Sequence, residues 1–202
     1  MINSAQPAFS EVIKVKDGVF YNLEGHAARM DRTLRHFFNR PLSFALSPNA
    51  LPEPPSPGLF KCRLVYSEEL KKVEYAAYSF RRINSLTLVK ADEIVYSFKS
   101  VDRRAIQRLA ASVETDDILM SQGGAITDTS FANVVFQGPA GLFTPASCLL
   151  PGTKRELLLR QGRIEKRPIT VADLDQFERI YLINAMMDLD DRISIPLSAL
   201  NR

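Results

Sequence analysis

Between Ile118 and Phe136 two apolar, strand-forming runs, Ile-Leu-Met and Asn-Val-Val-Phe, flank a Gly123-Gly124 break, and this stretch constrains the fold more than any other. The pattern predicts two strands meeting at a turn, with Thr127, Asp128, Thr129 and Ser130 at the turn. Short polar side chains of this kind bond to nearby backbone and suit a break between strands.

At 202 residues the chain is long enough to bury a core, as one α/β domain or as two small ones sharing an interface. The net charge of +3 comes from mixed acids and bases with no block of one sign, which argues against a nucleic-acid tail or a membrane-surface helix. Cys62 and Cys148 stand far apart, and His26 and His36 are the only histidines, so neither a zinc site nor a disulfide framework is expected. No apolar stretch approaches the ~20 residues of a membrane span, and the N-terminal residues lack a basic-then-apolar signal; a cytoplasmic location is the expectation.

Along the chain, Phe9 to Phe20 reads as two short strands around a Lys16-Asp-Gly18 hairpin. A helix follows, capped by Asn22, with Leu23, Ala27, Met30, Leu34 and Phe37 at helical spacing and His26, Arg29, Arg32 and Arg35 on other faces. The proline-rich residues 47 to 58 form a surface connection; strands follow in LFKCRLVYS and VEYAAYSF, and 81 to 85 is a linker. EIVYSF, 93 to 98, reads as a strand running into Lys99, with a helix over Asp102 to Val113. GLFTP is a further strand, LLPGTKRELLLRQG a turn feeding a helix that stops at Gly162, Thr170 to Asp173 a capping box, and ERIYLIN the last strand.

Several of these segments, in this order, resemble the class IV (fold type IV) pyridoxal-phosphate aminotransferases. Asp128 stands five positions before Asn133 where the family places an acid, usually glutamate; Tyr96-x-x-Lys99-Ser-x-x-Arg103 resembles its lysine segment and His26-x-x-Arg29 its phosphate arginine. Leu150-Pro-Gly-Thr-Lys-Arg155 resembles its glycine turn, and Ile183-Asn-Ala-Met-Met187 its last phosphate loop. The wording of the last segment, and of Lys99-Ser-Val-Asp-Arg103, is closest to aminodeoxychorismate lyase, with branched-chain and D-amino-acid aminotransferases as relatives.

The resemblance implies a two-domain α/β fold, a small N-terminal domain over 1–84 and a larger mixed-sheet domain over 85–202 that carries the lysine. It implies pyridoxal 5'-phosphate held covalently by Lys99, with Arg29, Gly152, Thr153, Lys154, Asn184 and Ala185 on the phosphate, Leu150 against the ring and Asp128 on the ring nitrogen. It also implies a homodimer acting on a small amine. Phe9 stands where many members have a tyrosine near the substrate, and Arg63 is the candidate for the substrate carboxylate. Taken singly, each residue has a plainer reading: Lys99 exposed at a junction, Arg29 on a solvated helix face, Asp128 in an Asx turn, Arg63 at a sheet edge. Three functions stay open: 4-amino-4-deoxychorismate lyase, amino-acid aminotransferase, and a non-catalytic cofactor-binding relative.

Overall fold

Alternating strands and short helices give two compact units in the computed structural model, which describes residues 6–202. The first takes the chain up to Ser79 together with Phe98–Asp102; the second takes Phe80–Ser97 and Arg103–Arg202. The division thus falls before the 84/85 boundary, and the lysine segment groups with the smaller unit, not the larger. The reason is backbone pairing: Ser10 N–H donates to the Lys99 carbonyl (2.9 Å) and Val101 N–H to that of Ala8 (3.0 Å).

The first unit contains β1 (Phe9–Lys16), β2 (Val19–Phe20), α1 (Leu23–Phe38), β3 (Leu59–Tyr66) and β4 (Leu70–Ala77), with the strands in the order β2-β1-β3-β4. Asp17 and Gly18 both have positive φ (49° and 80°), the geometry that lets a two-residue turn follow the twist of its strands. Ile13, Val15, Cys62, Leu64 and Tyr66 of the sheet and Met30 and Leu34 of α1 form the core. The buried face of α1 comprises His26, Arg29, Met30, Thr33 and Leu34, so His26 and Arg29 lie inside, not on a polar face, while Phe37 is 42% exposed. Asn22 has left-handed backbone and makes no capping side-chain bond.

The second unit runs β5 (Leu86–Lys90), α2 (Arg104–Ala110), β6 (Asp117–Gln122), β7 (Ala125–Thr129), β8 (Asn133–Gly138), β9 (Gly141–Pro145), α3 (Thr153–Arg160), β10 (Glu165–Arg167), β11 (Arg179–Ile183), β12 (Ser194–Pro196) and β13 (Leu200–Asn201). Its sheet orders as β10-β9-β8-β7-β6-β5-β13, with β11 joining β8 to β12. Three strands, not two, occupy the Gly-Gly region: the turn is Gly123-Gly124, and Asp128 lies in β7. Residues 93 to 98 form no strand, because Ile94 N–H closes a turn onto the Ala91 carbonyl (2.9 Å) and Val95 is left 89% exposed; the strand is the preceding Leu86–Lys90. Among the described residues no helix is long and apolar enough to cross a membrane.

Candidate active site

The five-residue spacing from Asp128 to Asn133 has a direct structural cause. The two residues face each other as the sole paired register position between β7 and β8, so both side chains leave the hairpin on one face. Asn133 Nδ2 donates to Asp128 Oδ1 (2.8 Å) and to the Leu150 carbonyl (2.9 Å). Leu150 N–H donates in turn to Asp128 Oδ2 (2.9 Å), so hairpin and glycine turn are locked together through the Leu150 peptide groups. Gly152 belongs to the same lock: a Cβ there would stand 1.9 Å from Asn133 Oδ1. The close approach that requires glycine is therefore Asn133's.

Asp128 is 5% exposed, and its carboxyl is pushed up to about 6. Burial is the largest cause; the Leu150 N–H, the Asn133 amide and the charge of Arg155 pull the other way without prevailing. Arg155 gives no hydrogen bond to it, since its guanidinium is spent on Thr144 Oγ1 (3.3 Å), the Pro145 carbonyl (2.8 Å) and Glu156 (2.7 Å). A buried carboxylate held by neutral donors alone fits a cationic partner, such as a protonated ring nitrogen.

Gly152 is also the N-cap of α3 and supplies no side-chain cap, and the N–H groups of a first helical turn have no acceptor inside the helix. Thr153 there is buried, and the Lys154 ammonium turns to Asp188. Burial raises the Asp188 carboxyl, but the bond and charge of Lys154, the Leu189 N–H and the charge of Arg163 together bring the net shift downward. At the end of β11, Asn184 organises its own loop: its Oδ1 accepts from Met186 N–H (2.9 Å) and Met187 N–H (3.1 Å), and its backbone pairs with Met187. Ala185 N–H is the amide of that loop left without an acceptor among the described residues. Asn184 Nδ2 reaches the Phe131 carbonyl (3.4 Å) in the β7–β8 loop. The second unit thus gathers Asp128, Leu150, Gly152 and the start of α3, with Asn184 tied to the hairpin and Lys154 to the segment after Ala185. An uncapped helix start suits a phosphate.

In the first unit Arg29 forks onto Glu11, with Nε on Oε1 (2.9 Å) and Nη2 on Oε2. His26 Nδ1 lies 2.6 Å from Oε2. Burial raises the Glu11 carboxyl, but the charge and bond of Arg29 and the bond of His26 hold it at about 2. An ionised Glu11 only accepts, so Nδ1 of His26 carries the proton. Burial, ahead of the opposing bond to Glu11, pushes the His26 pKa down, and the charge of Lys99 adds to that, which places the lysine within electrostatic reach of the cluster. Phe9 is a core residue, 1% exposed against Phe37, Phe38 and Tyr66, and so is not open to a substrate. Arg63 faces Glu74 across the β3–β4 pair at 3.3 Å. Sequence alone does not identify Glu11 or His26 as partners of Arg29; the available signal is Glu11 as the lone acid of β1.

The model of the family "Amino-transferase class IV" matches residues 64–189. An uncharacterized protein of Haemophilus influenzae (strain Rd) is 33% identical over 183 residues, 89% of this chain and 97% of its own length. A crystal structure from Haemophilus somnus 129pt, described as "a putative 4-amino-4-deoxychorismate lyase", superposes with a TM-score of 0.77 at 30% identity, covering 90% of this chain and 97% of that one. "A hypothetical aminotransferase from Mycobacterium tuberculosis", in a PLP-bound form, superposes at 0.71 with 17% identity, covering 99% and 85%. With the family's model covering well over half its length, this chain belongs to the class IV amino-transferases.

Proposed function

We propose that the protein is a pyridoxal-phosphate enzyme that acts on a small amine, and that its reaction is the lyase cleavage of 4-amino-4-deoxychorismate to 4-aminobenzoate and pyruvate. The observation that carries the cofactor reading is Asp128, a buried carboxylate with neutral donors and no bonded cation, inside the segment matched by the family. The lean to the lyase draws on the Asn184-Ala-Met-Met187 wording and on the likeness to the Haemophilus somnus protein. By the same family resemblance we propose that it works as a homodimer.

When bound, the cofactor supplies an electrophilic carbonyl for the amine and a ring that accepts the electron pair left at Cα. Lys99 would hold the cofactor covalently through its amine, and the same amine, when free, would serve as the base that takes the Cα proton. Asp128 would keep the ring nitrogen protonated by charge pairing. Arg29, the first N–H groups of α3 and the Ala185 N–H would bind the phosphate, and Leu150 would pack on the ring. Asn133 positions Asp128, and Glu11 with His26 positions Arg29.

The test is an absorbance spectrum of the purified protein with pyridoxal phosphate, before and after borohydride, beside Lys99→Ala. A visible band that borohydride fixes to the wild type alone supports the cofactor reading; no band in either protein overturns it. Pyruvate release from 4-amino-4-deoxychorismate then supports the lyase, whereas keto-acid formation from ordinary amino acids would replace it with a transaminase.

A further inference from the structure

On the face of the second unit built by β9, β11 and β12 lies a surface cleft of about 650 Å³, lined in part by three arginines. Its apolar wall is Leu142, Leu189 and the ring of Tyr181, whose hydroxyl is turned onto Gln137 (3.0 Å). The arginines are not equivalent. Arg163 is neutralised by Asp190 at 2.7 Å, with Asp188 at 3.4 Å. Arg179 puts Nε and Nη2 on one neutral hydroxyl, Ser194 Oγ (3.3 and 2.9 Å), and has no carboxylate partner. Arg192 ends the 189–191 turn with left-handed backbone (φ 53°), and its side chain has no bonded partner among the described residues.

Two guanidinium groups without counter-ions beside an aromatic ring and two leucines form an amphipathic site. A guanidinium matches a carboxylate bidentately, and the ring and leucines favour a flat apolar body. The volume lies in the range of small-molecule pockets and exceeds what an inorganic anion fills. Nucleic acid is disfavoured by Asp190, which stands on the same wall, and by the lack of a basic stripe in the sequence. We infer that this cleft is a binding site for a small aromatic dicarboxylic acid, with Arg179 and Arg192 each taking a carboxylate. This inference does not rest on the proposed function.

The probes are benzene-1,3-dicarboxylate and inorganic phosphate, titrated into the full-length protein with and without pyridoxal phosphate. Binding is followed by the amide NMR shifts of Leu142, Arg192 and Ser194. The dicarboxylate is expected to move these three signals whether or not pyridoxal phosphate is present, with phosphate binding at least tenfold more weakly. Arg179→Ala and Arg192→Ala should each weaken the dicarboxylate about tenfold, the loss expected for a charge-assisted bond. Asp190→Asn, which removes the opposing carboxylate, should tighten it roughly twofold to fivefold, a gain that misfolding cannot produce. Equal affinity for the two probes, affinity unchanged in all three variants, or no movement of these signals would overturn the inference.

Discussion

Each unit buries one acid at its candidate site, and the two are treated in opposite ways. Glu11 is met by Arg29 and His26 from its own unit and is held at about 2; Asp128 is met by an amide and a peptide N–H and rises to about 6. Removing a carboxylate from water is costly in either place. In the first unit the chain supplies the compensating cation, and the result is a fixed anchor for α1. In the second the charge is left for something else to neutralise, which is what a site for a cationic ring requires.

The largest effect should come from breaking the compensated pair. Arg29→Ala leaves Glu11 buried without its cation and is expected to cost about 3–5 kcal/mol by urea denaturation. Asn133→Ala, which strips a neutral donor from Asp128, should cost about 1–3 kcal/mol. Equal costs would mean that the two acids are held alike.

The pH dependence separates them further, with roughly 3 kcal/mol at stake in each unit and opposite signs. Glu11 lies below its ordinary 4.5, so its contribution is complete above that value and is lost as pH falls toward about 2. Asp128 lies above its ordinary 3.8, so its contribution is present below that value and is lost as pH rises through about 6. His26, whose pKa burial pushes down, slopes against Asp128 over part of that range, so the readout is a difference between proteins. Relative to wild type, Asp128→Asn should gain stability progressively from pH 4 to pH 7; a constant difference would contradict the raised pKa.

Gly152→Ala sharpens the second half of the comparison. The new Cβ, 1.9 Å from Asn133 Oδ1, must displace that side chain and should cost about 1–3 kcal/mol alone, but much less in an Asn133→Ala background. Additive costs would show that Gly152 serves something other than Asn133. The smallest effect is expected of Lys154→Ala, about 1 kcal/mol from the lost pair with Asp188; unaltered cofactor affinity would agree with a backbone role at this position.

These contrasts were only partly legible in the sequence. The α1 stripe through Met30 and Leu34 declares itself by spacing, but nothing in a helical period says that His26 and Arg29 point inward, because their burial depends on an acid from another strand. The Asp128–Asn133 spacing was visible and its cause was not: five residues apart means facing residues only once 125–129 is known to be a strand of its own. Glycine doublets hide such short strands by dominating the turn signal. The segment 93–98 shows the converse: it has the apolar pattern of a strand but no ladder to join, whereas the strand Leu86–Lys90 lies behind a polar linker that masks it in the sequence.

The measurement that bears most directly on the contrast is the carboxyl ¹³C titration of Asp128 by NMR, with and without pyridoxal phosphate. The midpoint should lie near 6 in the free protein and fall below the ordinary value of 3.8 when the cofactor's ring nitrogen supplies the missing cation. A midpoint that stays near 6 with cofactor bound would contradict it, and Asp128 would then be a structural clasp for Leu150 and nothing more.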